Sequence, residues 1–419
     1  MVPKGWDIRP LFEISKITSG GTPSREKPEY WENGMIPWVR TTEVQNCILN
    51  LEDVQEYISE LGLKNSSAKI VPAGTVLLAM IGQGKTRGQV ALLTFEATTN
   101  QNCAAIIFND DQEPAFYFNF LLSQYEKIRG MSNSAGQSNL SGALVKLITV
   151  PVPPLPEQKK IAKILSTWDN AIATTEKLIA TSQQQKKALM QQLLTGKKRL
   201  VNPDTGKVFD GEWENKYLND FAKVIVSPVD KKTVAGEIPV ELCNYTDVYY
   251  NTHITKKISF MKATAKQSEI EKFKLHIDDV VITKDSETPG DIAVPALVSE
   301  DLNGVVCGYH LAIVRTKKKI AEGAYINYLF SMPKARYYFF TLATGATRFG
   351  LSLGGINKAH FTLPPVDEQR KIASVLTAAD KEIEFLEAKL AHLKEEKKAL
   401  MQQLLTGKRR VKVSETEAA

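Results

Sequence analysis

Two stretches of the chain carry their seam residues in alternating steps of four and three. In the first they are Ile161, Leu165, Trp168, Ile172, Thr175, Ile179, Ser182, Lys186, Leu189 and Leu193. In the second they are Ile372, Leu376, Ala379, Ile383, Leu386, Leu390, Leu393, Lys397, Leu400 and Leu404. This spacing is the seam of a coiled coil, and a seam needs a partner helix. Pro154 and Pro156 precede the first stretch; Pro364, Pro365 and Asp367 precede the second, as expected at helix starts. Gly196 and Gly407 follow, where a left-handed residue ends a helix. About 39 residues lie between these signals, a rod of roughly 58 Å and longer than a compact domain requires.

The two stretches are copies. Lys186–Lys197 recurs letter for letter at Lys397–Lys408, and residues 154–200 match 365–411 at 24 of 47 positions. The nearest partner for each seam is therefore the other copy. Parallel pairing in register would place Lys186 against Lys397 inside the seam. Antiparallel pairing sends the two lysines to opposite ends, where each can reach water. The sequence thus predicts antiparallel helices. The plainer alternative is two ordinary core helices of a bundle, but the flanking segments are strand-rich and offer few further long helices.

Upstream of each helix lies a segment of ordinary domain size. Both segments mix β-rich runs with one helical stretch. The runs are Thr75–Met80, Ala104–Phe108, Asp279–Thr283 and Leu311–Val314; the helical stretches are Pro114–Arg129 and Ala324–Phe340. Four landmarks are shared. Ile36-Pro37 matches Ile238-Pro239, Thr42-Glu43-Val44 matches Thr246-Asp247-Val248, Gly88–Ala91 matches Gly290–Ala293, and Leu140-Ser141 matches Leu351-Ser352. The expected architecture is α+β with an internal pseudo-two-fold duplication. Two mixed α/β domains (residues 1–153 and 213–364) alternate with two long helices (154–196 and 365–407), paired as an antiparallel coiled coil. A linker spans 197–212, and a tail spans 408–419.

Composition narrows the function classes. Of 419 residues, 43% are hydrophobic and 24% charged, which is ordinary for a globular chain. The longest apolar runs, such as Val76–Ile81, fall far short of the roughly 20 residues a membrane helix needs. The opening residues lack the apolar core of a secretory signal. A cytoplasmic protein with no membrane role is expected. Cys47, Cys103, Cys243 and Cys307 form no C-x-x-C pair, and the five histidines never recur at ligand spacing, so no metal is expected. The net charge of +6 permits nucleic acid as a partner without indicating a polycation.

Apparent catalytic motifs are weak. Residues 79–86, Ala-Met-Ile-Gly-Gln-Gly-Lys-Thr, fit a permissive phosphate-loop pattern, yet they lead into Arg87–Leu93, which reads as a turn entering a strand rather than a helix. A basic hairpin tip is the better functional reading, and a solvated turn the plainer one. Pro203-Asp204 with Glu214-Asn215-Lys216 imitates the carboxylate-and-lysine set of metal-dependent nucleases, but it sits in or beside a glycine-containing linker.

Leu155-Pro156-Glu157-Gln158 leading into Ile161-Ala162, Glu368-Gln369 into Ile372-Ala373, and the paired Gln-Gln-Leu-Leu-Thr-Gly helix ends resemble the specificity subunit of type I restriction-modification systems. Gly5-Trp6, Ser19–Ser24 and Ile36-Pro37-Trp38 resemble the opening phrases of that family's first target-recognition domain. The resemblance covers essentially the whole chain. It implies two recognition domains, each reading one half of a split target in double-stranded DNA. The paired helices would be the ruler between half-sites and the dock for two modification (methyltransferase) subunits. Those partners would hold S-adenosylmethionine and methylate adenine, and this chain would hold no cofactor. Restriction subunits, an ATP-dependent translocase and nuclease, would join the complex. The Asn-Pro-Pro-aromatic segment of adenine methyltransferases is absent, so the chain is expected to be non-catalytic.

Phosphates attract lysine and arginine, and base edges take arginine, lysine, asparagine and glutamine. The candidate DNA contacts are Arg40, Thr41, Lys85, Arg87, Ser134, Gln137, Asn139, Lys284 and Arg348. For each of them an ordinary solvated loop is the plainer reading. Two rival functions stay open at this stage. One is a coiled-coil scaffold whose domains bind protein; the other is an autonomous methyltransferase or nuclease.

Overall fold

The computed structural model describes residues 2–82, 84–134 and 139–413, without the side chains of 132–134. The chain forms two compact units. The first comprises residues 1–177 and 388–419, and the second residues 178–387. Each unit therefore contains one globular domain, the N-terminal part of the long helix that follows it, and the C-terminal part of the other long helix.

Both globular domains have a five-stranded sheet of the same order. In the first domain the strands run Ser15–Ser19, Cys103–Phe108, Val76–Ala79, Val90–Leu93, Cys47–Leu49 across the sheet. In the second they run Ala222–Val226, Leu311–Thr316, Val280–Thr283, Pro295–Val298, His253–Ile254. In each sheet the last pair is parallel and the others are antiparallel. Three further strands repeat as well: Tyr57–Ile58, Ile36–Val39 and Thr98–Thr99 in the first domain, Met261–Ala265, Ile238–Cys243 and Val306–Cys307 in the second. The central strands Val76–Ala79 and Val280–Thr283 are buried along their whole length, as a strand covered on both faces requires.

Two expectations need correction. The single helical stretch expected in each domain is two helices. They are Pro114–Ser123 and Tyr125–Ser134 in the first domain, Gly323–Ser331 and Pro333–Leu342 in the second. Pro333 explains the second break, because its ring and missing N–H end the preceding helix. The first and third landmarks are also misaligned. Val39 pairs with Thr99 where Cys243 pairs with Cys307, so Ile36 corresponds to Val240 and not to Ile238. Val90 pairs with Leu78 where Pro295 pairs with Ile282, so Val90 corresponds to Pro295 and not to Ile292.

The long helices are Leu155–Leu193 and Val366–Leu404. All expected seam residues are buried or half-buried, among them Ile161, Leu165, Ile172, Leu189 and Leu193 of the first copy. Ile372, Leu376, Ile383, Leu400 and Leu404 of the second behave alike. Pairing is antiparallel in both units. In the first, Ile161 and Leu165 share a core with Met401 and Leu404; in the second, Leu193 shares one with Ile372 and Leu376. The seam lysines do not reach free water as expected. Lys397 pairs with Asp169 in the first unit and Lys186 with Asp380 in the second, so each cation meets the equivalent acid of the other copy.

The Glu-Gln dipeptide that opens each helix divides its work. Gln158 accepts from Glu113 N at 2.8 Å and donates to Pro153 O, and Gln369 accepts from Glu322 N at 3.1 Å and donates to Pro364 O. Each glutamine thus ties the helix to its own domain. The neighbouring glutamates bind the end of the other copy. Glu368 receives Arg199 Nε and Nη2, both at 2.6 Å, and Glu157 receives Arg410. Arg199 also donates to Gly211 O and Arg410 to Lys4 O, so linker and tail make equivalent closures.

Candidate nucleic-acid interface

In the first domain, the segment expected as a basic hairpin joins strands Val76–Ala79 and Val90–Leu93, which pair antiparallel. It is turn rather than helix over residues 84–88, so the chain does not form the helix N-terminus on which a phosphate loop depends. Lys85 is exposed at this turn and Arg87 is half-buried. Tyr125 Oη donates to Lys85 O at 2.7 Å, and Arg129 contacts both Arg87 O and Tyr125 Oη, which fixes the turn to the following helix.

The other first-domain candidates fare differently. Arg40 is engaged by two carboxylates, Glu43 at 3.2 Å and Glu56 at 2.8 Å. Glu56 also holds Arg25, whose guanidinium lies 3.6 Å from the centre of the Trp31 ring. Arg25 and Trp31 are absent from the expected set; the run of basic and aromatic residues from Arg25 to Trp31 was the available signal. Thr41 is buried, and its hydroxyl bonds Asn100 at 3.2 Å. Asn139 is exposed, Ser134 ends a helix, and Gln137 lies outside the described residues.

In the second domain, the two expected cations come together. Lys284 follows the central strand, and Arg348 sits on a turn closed by the Thr344–Gly350 pair. The turn needs Gly345, since a Cβ there would fall 1.9 Å from Arg348 O with φ at +134°. Strand Asp285-Ser286 pairs with Phe349-Gly350 and brings the turn against the sheet end. Asp285, not foreseen from the sequence, binds Lys284 Nζ at 3.0 Å, Arg348 Nη2 at 3.0 Å and His310 Nδ1. Burial pushes the Asp285 carboxyl up, but Lys284 and His310 outweigh it and hold the group below its ordinary range. Burial dominates at His310 and lowers its imidazole despite Asp285. The ring is then neutral near pH 7, with Nδ1–H donating to the carboxylate. Tyr309 packs on His310.

The arrangement can donate hydrogen bonds from fixed cations. Among the described residues there is no group of three or more His, Cys, Asp or Glu placed to hold a metal ion, the Asp204 and Glu214 set included. No helix among them is long and apolar enough to cross a membrane.

Two stretches, residues 3–182 and 210–395, match the family of the type I restriction modification DNA specificity domain. The chain is 24% identical to the putative type I restriction enzyme MjaX specificity subunit of Methanocaldococcus jannaschii, over 98% of its own length and 95% of that protein. It is 28% identical to the MjaIX specificity subunit of the same organism, over 53% of each chain, so it spans about half of that relative. The crystal structure of a type I restriction-modification S subunit from M. genitalium superimposes with a TM-score of 0.57 at 14% identity, covering 96% of each chain. That last likeness is one of fold.

Proposed function

The chain belongs to the family of type I restriction-modification DNA specificity domains, and from that premise we propose that it gives a modification complex its bipartite DNA target. One domain reads each half-site. The long helices set the gap between half-sites and dock two adenine methyltransferase subunits, which supply S-adenosylmethionine. Restriction subunits join the same assembly in the cytoplasm, and this chain does no chemistry of its own.

The observation that carries this reading is one fold used twice with different exposed chemistry. The two five-stranded sheets share strand order and direction, yet the sheet ends carry unlike side chains. A protein that must recognise two dissimilar half-sites needs that combination. The helix length agrees with it. At 1.5 Å per residue, 39 residues make a rod of roughly 58 Å, against about 34 Å for a turn of B-DNA.

The test is to map methylated adenines in a host expressing the chain with its modification subunit. The expected result is a split, asymmetric target, with no methyl transfer by the purified chain alone. Binding of duplex DNA without salt dependence or sequence preference would favour a protein-binding scaffold instead. Methyl transfer by the isolated chain would overturn the non-catalytic role.

A further inference from the structure

The Lys284, Asp285, His310 and Arg348 cluster is not required by the fold, and the other domain shows this directly. In the first domain Met80 N donates to Asn102 O, and Leu140 N donates to Met80 O, both at 2.9 Å. In the second, Lys284 N donates to His310 O and Leu351 N donates to Lys284 O, again both at 2.9 Å. Lys284, Asp285 and His310 therefore occupy the backbone places of Met80, Ile81 and Asn102. The same frame is built once with an apolar pair and an amide, and once with a lysine, a carboxylate and an imidazole. Burying most of a carboxylate is unfavourable unless it is paired, so these charges need a purpose that the frame does not supply.

Their geometry points to what they bind. Asp285 accepts from one nitrogen of Arg348, Nη2, at 3.0 Å, and the His310 ring lies against that same nitrogen, while about half of the Arg348 side chain stays exposed. A guanidinium held in this way presents a fixed fork. For a phosphate, the carboxylate behind the fork is a handicap, because it cancels the charge that does the attracting. For a neutral base edge it is not, because recognition there rests on the direction of the hydrogen bonds. The fork fits two acceptors side by side, and in the major groove guanine offers them at O6 and N7.

We propose that Arg348, oriented by Asp285 and His310, reads a guanine in the half-site recognised by the second domain. Arg348 is the base-contacting residue. Asp285 is a positioning residue, and Lys284 balances its charge. The proposal rests on the bipartite reading given above and adds to it a base and a residue.

The experiment uses the full chain assembled with its modification subunits and a library of DNA targets. The second domain's half-site is the half that persists when residues 1–153 are exchanged for those of a relative. In the unaltered chain that half should contain a required G·C pair. Arg348→Ala should reduce discrimination at that single pair by roughly 5- to 150-fold and leave the other half untouched. Arg348→Lys should recover part of the preference, since lysine lacks the planar fork. Asp285→Asn should relax the same position and no other, a result that general loss of folding would not produce. The proposal is overturned if Arg348→Ala weakens all sequences equally with the target unchanged, which is the signature of a phosphate contact. It is also overturned if the second half-site has no required G·C pair. Absence of a bipartite target in the unaltered chain would overturn the functional reading, and this proposal with it.

Discussion

Removing Arg199 tests how the linker closes on the second helix. Glu368 is fully buried, and both of its oxygens accept from Arg199 at 2.6 Å. Arg199→Ala leaves a buried carboxylate without its cation, a change that costs about 3–5 kcal/mol. The equivalent pair should be weaker. Arg410 is 41% exposed, and Glu157 keeps a second donor in Trp6 Nε1 at 3.2 Å. Arg410→Ala should therefore cost about 2 kcal/mol, nearer to one lost charge-assisted hydrogen bond. Arg199 and Glu368 both belong to the second unit, so that unit's unfolding transition should move. With an m-value of about 3 kcal/mol/M in urea, the midpoint falls by more than about 1 M. The double variant Arg199→Ala/Glu368→Gln should recover much of the loss, because no unpaired charge remains. Urea titrations of the four proteins decide the matter. Equal losses for Arg199→Ala and Arg410→Ala, or an additive double variant, would refute the reasoning.

Three further outcomes are expected. Lys186→Asp should lower the melting temperature, and Asp380→Lys should rescue it while Asp169→Lys does not, because Lys186 meets only the former acid. Gly407→Ala should destabilise more than Gly196→Ala in thermal melts. Both sit at φ +70°, where an L residue loses about 1–2 kcal/mol, but the new Cβ at 407 would lie 2.5 Å from the rigid Pro3 ring, whereas at 196 it would be 3.5 Å from Trp213. Inserting four residues after Thr181 and four after His392 should lengthen each helix by about 6 Å and absorb the change as a stutter. Methylome mapping should then show the gap between half-sites wider by about one or two base pairs, and an unchanged gap with full activity would refute the ruler.

The long helices were legible because their period, caps and exact repetition are local in sequence. Even the lysine partners left a trace. Asp169 and Asp380 sit at equivalent places in the repeat, and antiparallel pairing brings each to the other copy's lysine. What favoured water in the sequence reading was the like-charge argument alone, which names no acid. The helix break at Gln124 left no proline to mark it, whereas Pro333 did mark the second. The third landmark fails because its phrase sits in a connection of different length: residues 284–294 are one residue longer than residues 80–89, and Gly290 lies three residues before Ala293, the true counterpart of Gly88. A shared Gly-x-x-Ala phrase is too short to detect that shift. The charged cluster was half legible. Lysine and arginine were suspected from their chemistry, and Asp285 is the lysine's own neighbour, but His310 and Arg348 reach that pair only through strands far apart in sequence.

The repeat also explains why the two domains can differ so much. Glu157 and Glu368, Gln158 and Gln369, Asp169 and Asp380, Lys186 and Lys397, Arg199 and Arg410 are identical pairs, and each has a defined bond in the frame. None of them lies at the sheet ends. There the frame is held by backbone N–H and C=O groups, which accept Met80 and Asn102 in one domain and Lys284 and His310 in the other with the same 2.9 Å bonds. A side chain that contributes nothing to the backbone ladder can change without weakening it. The recurrent helices thus carry the demands of folding, and the sheet ends are released from them. Two unlike surfaces on one scaffold follow from where the hydrogen bonds fall, before any requirement of DNA recognition is considered.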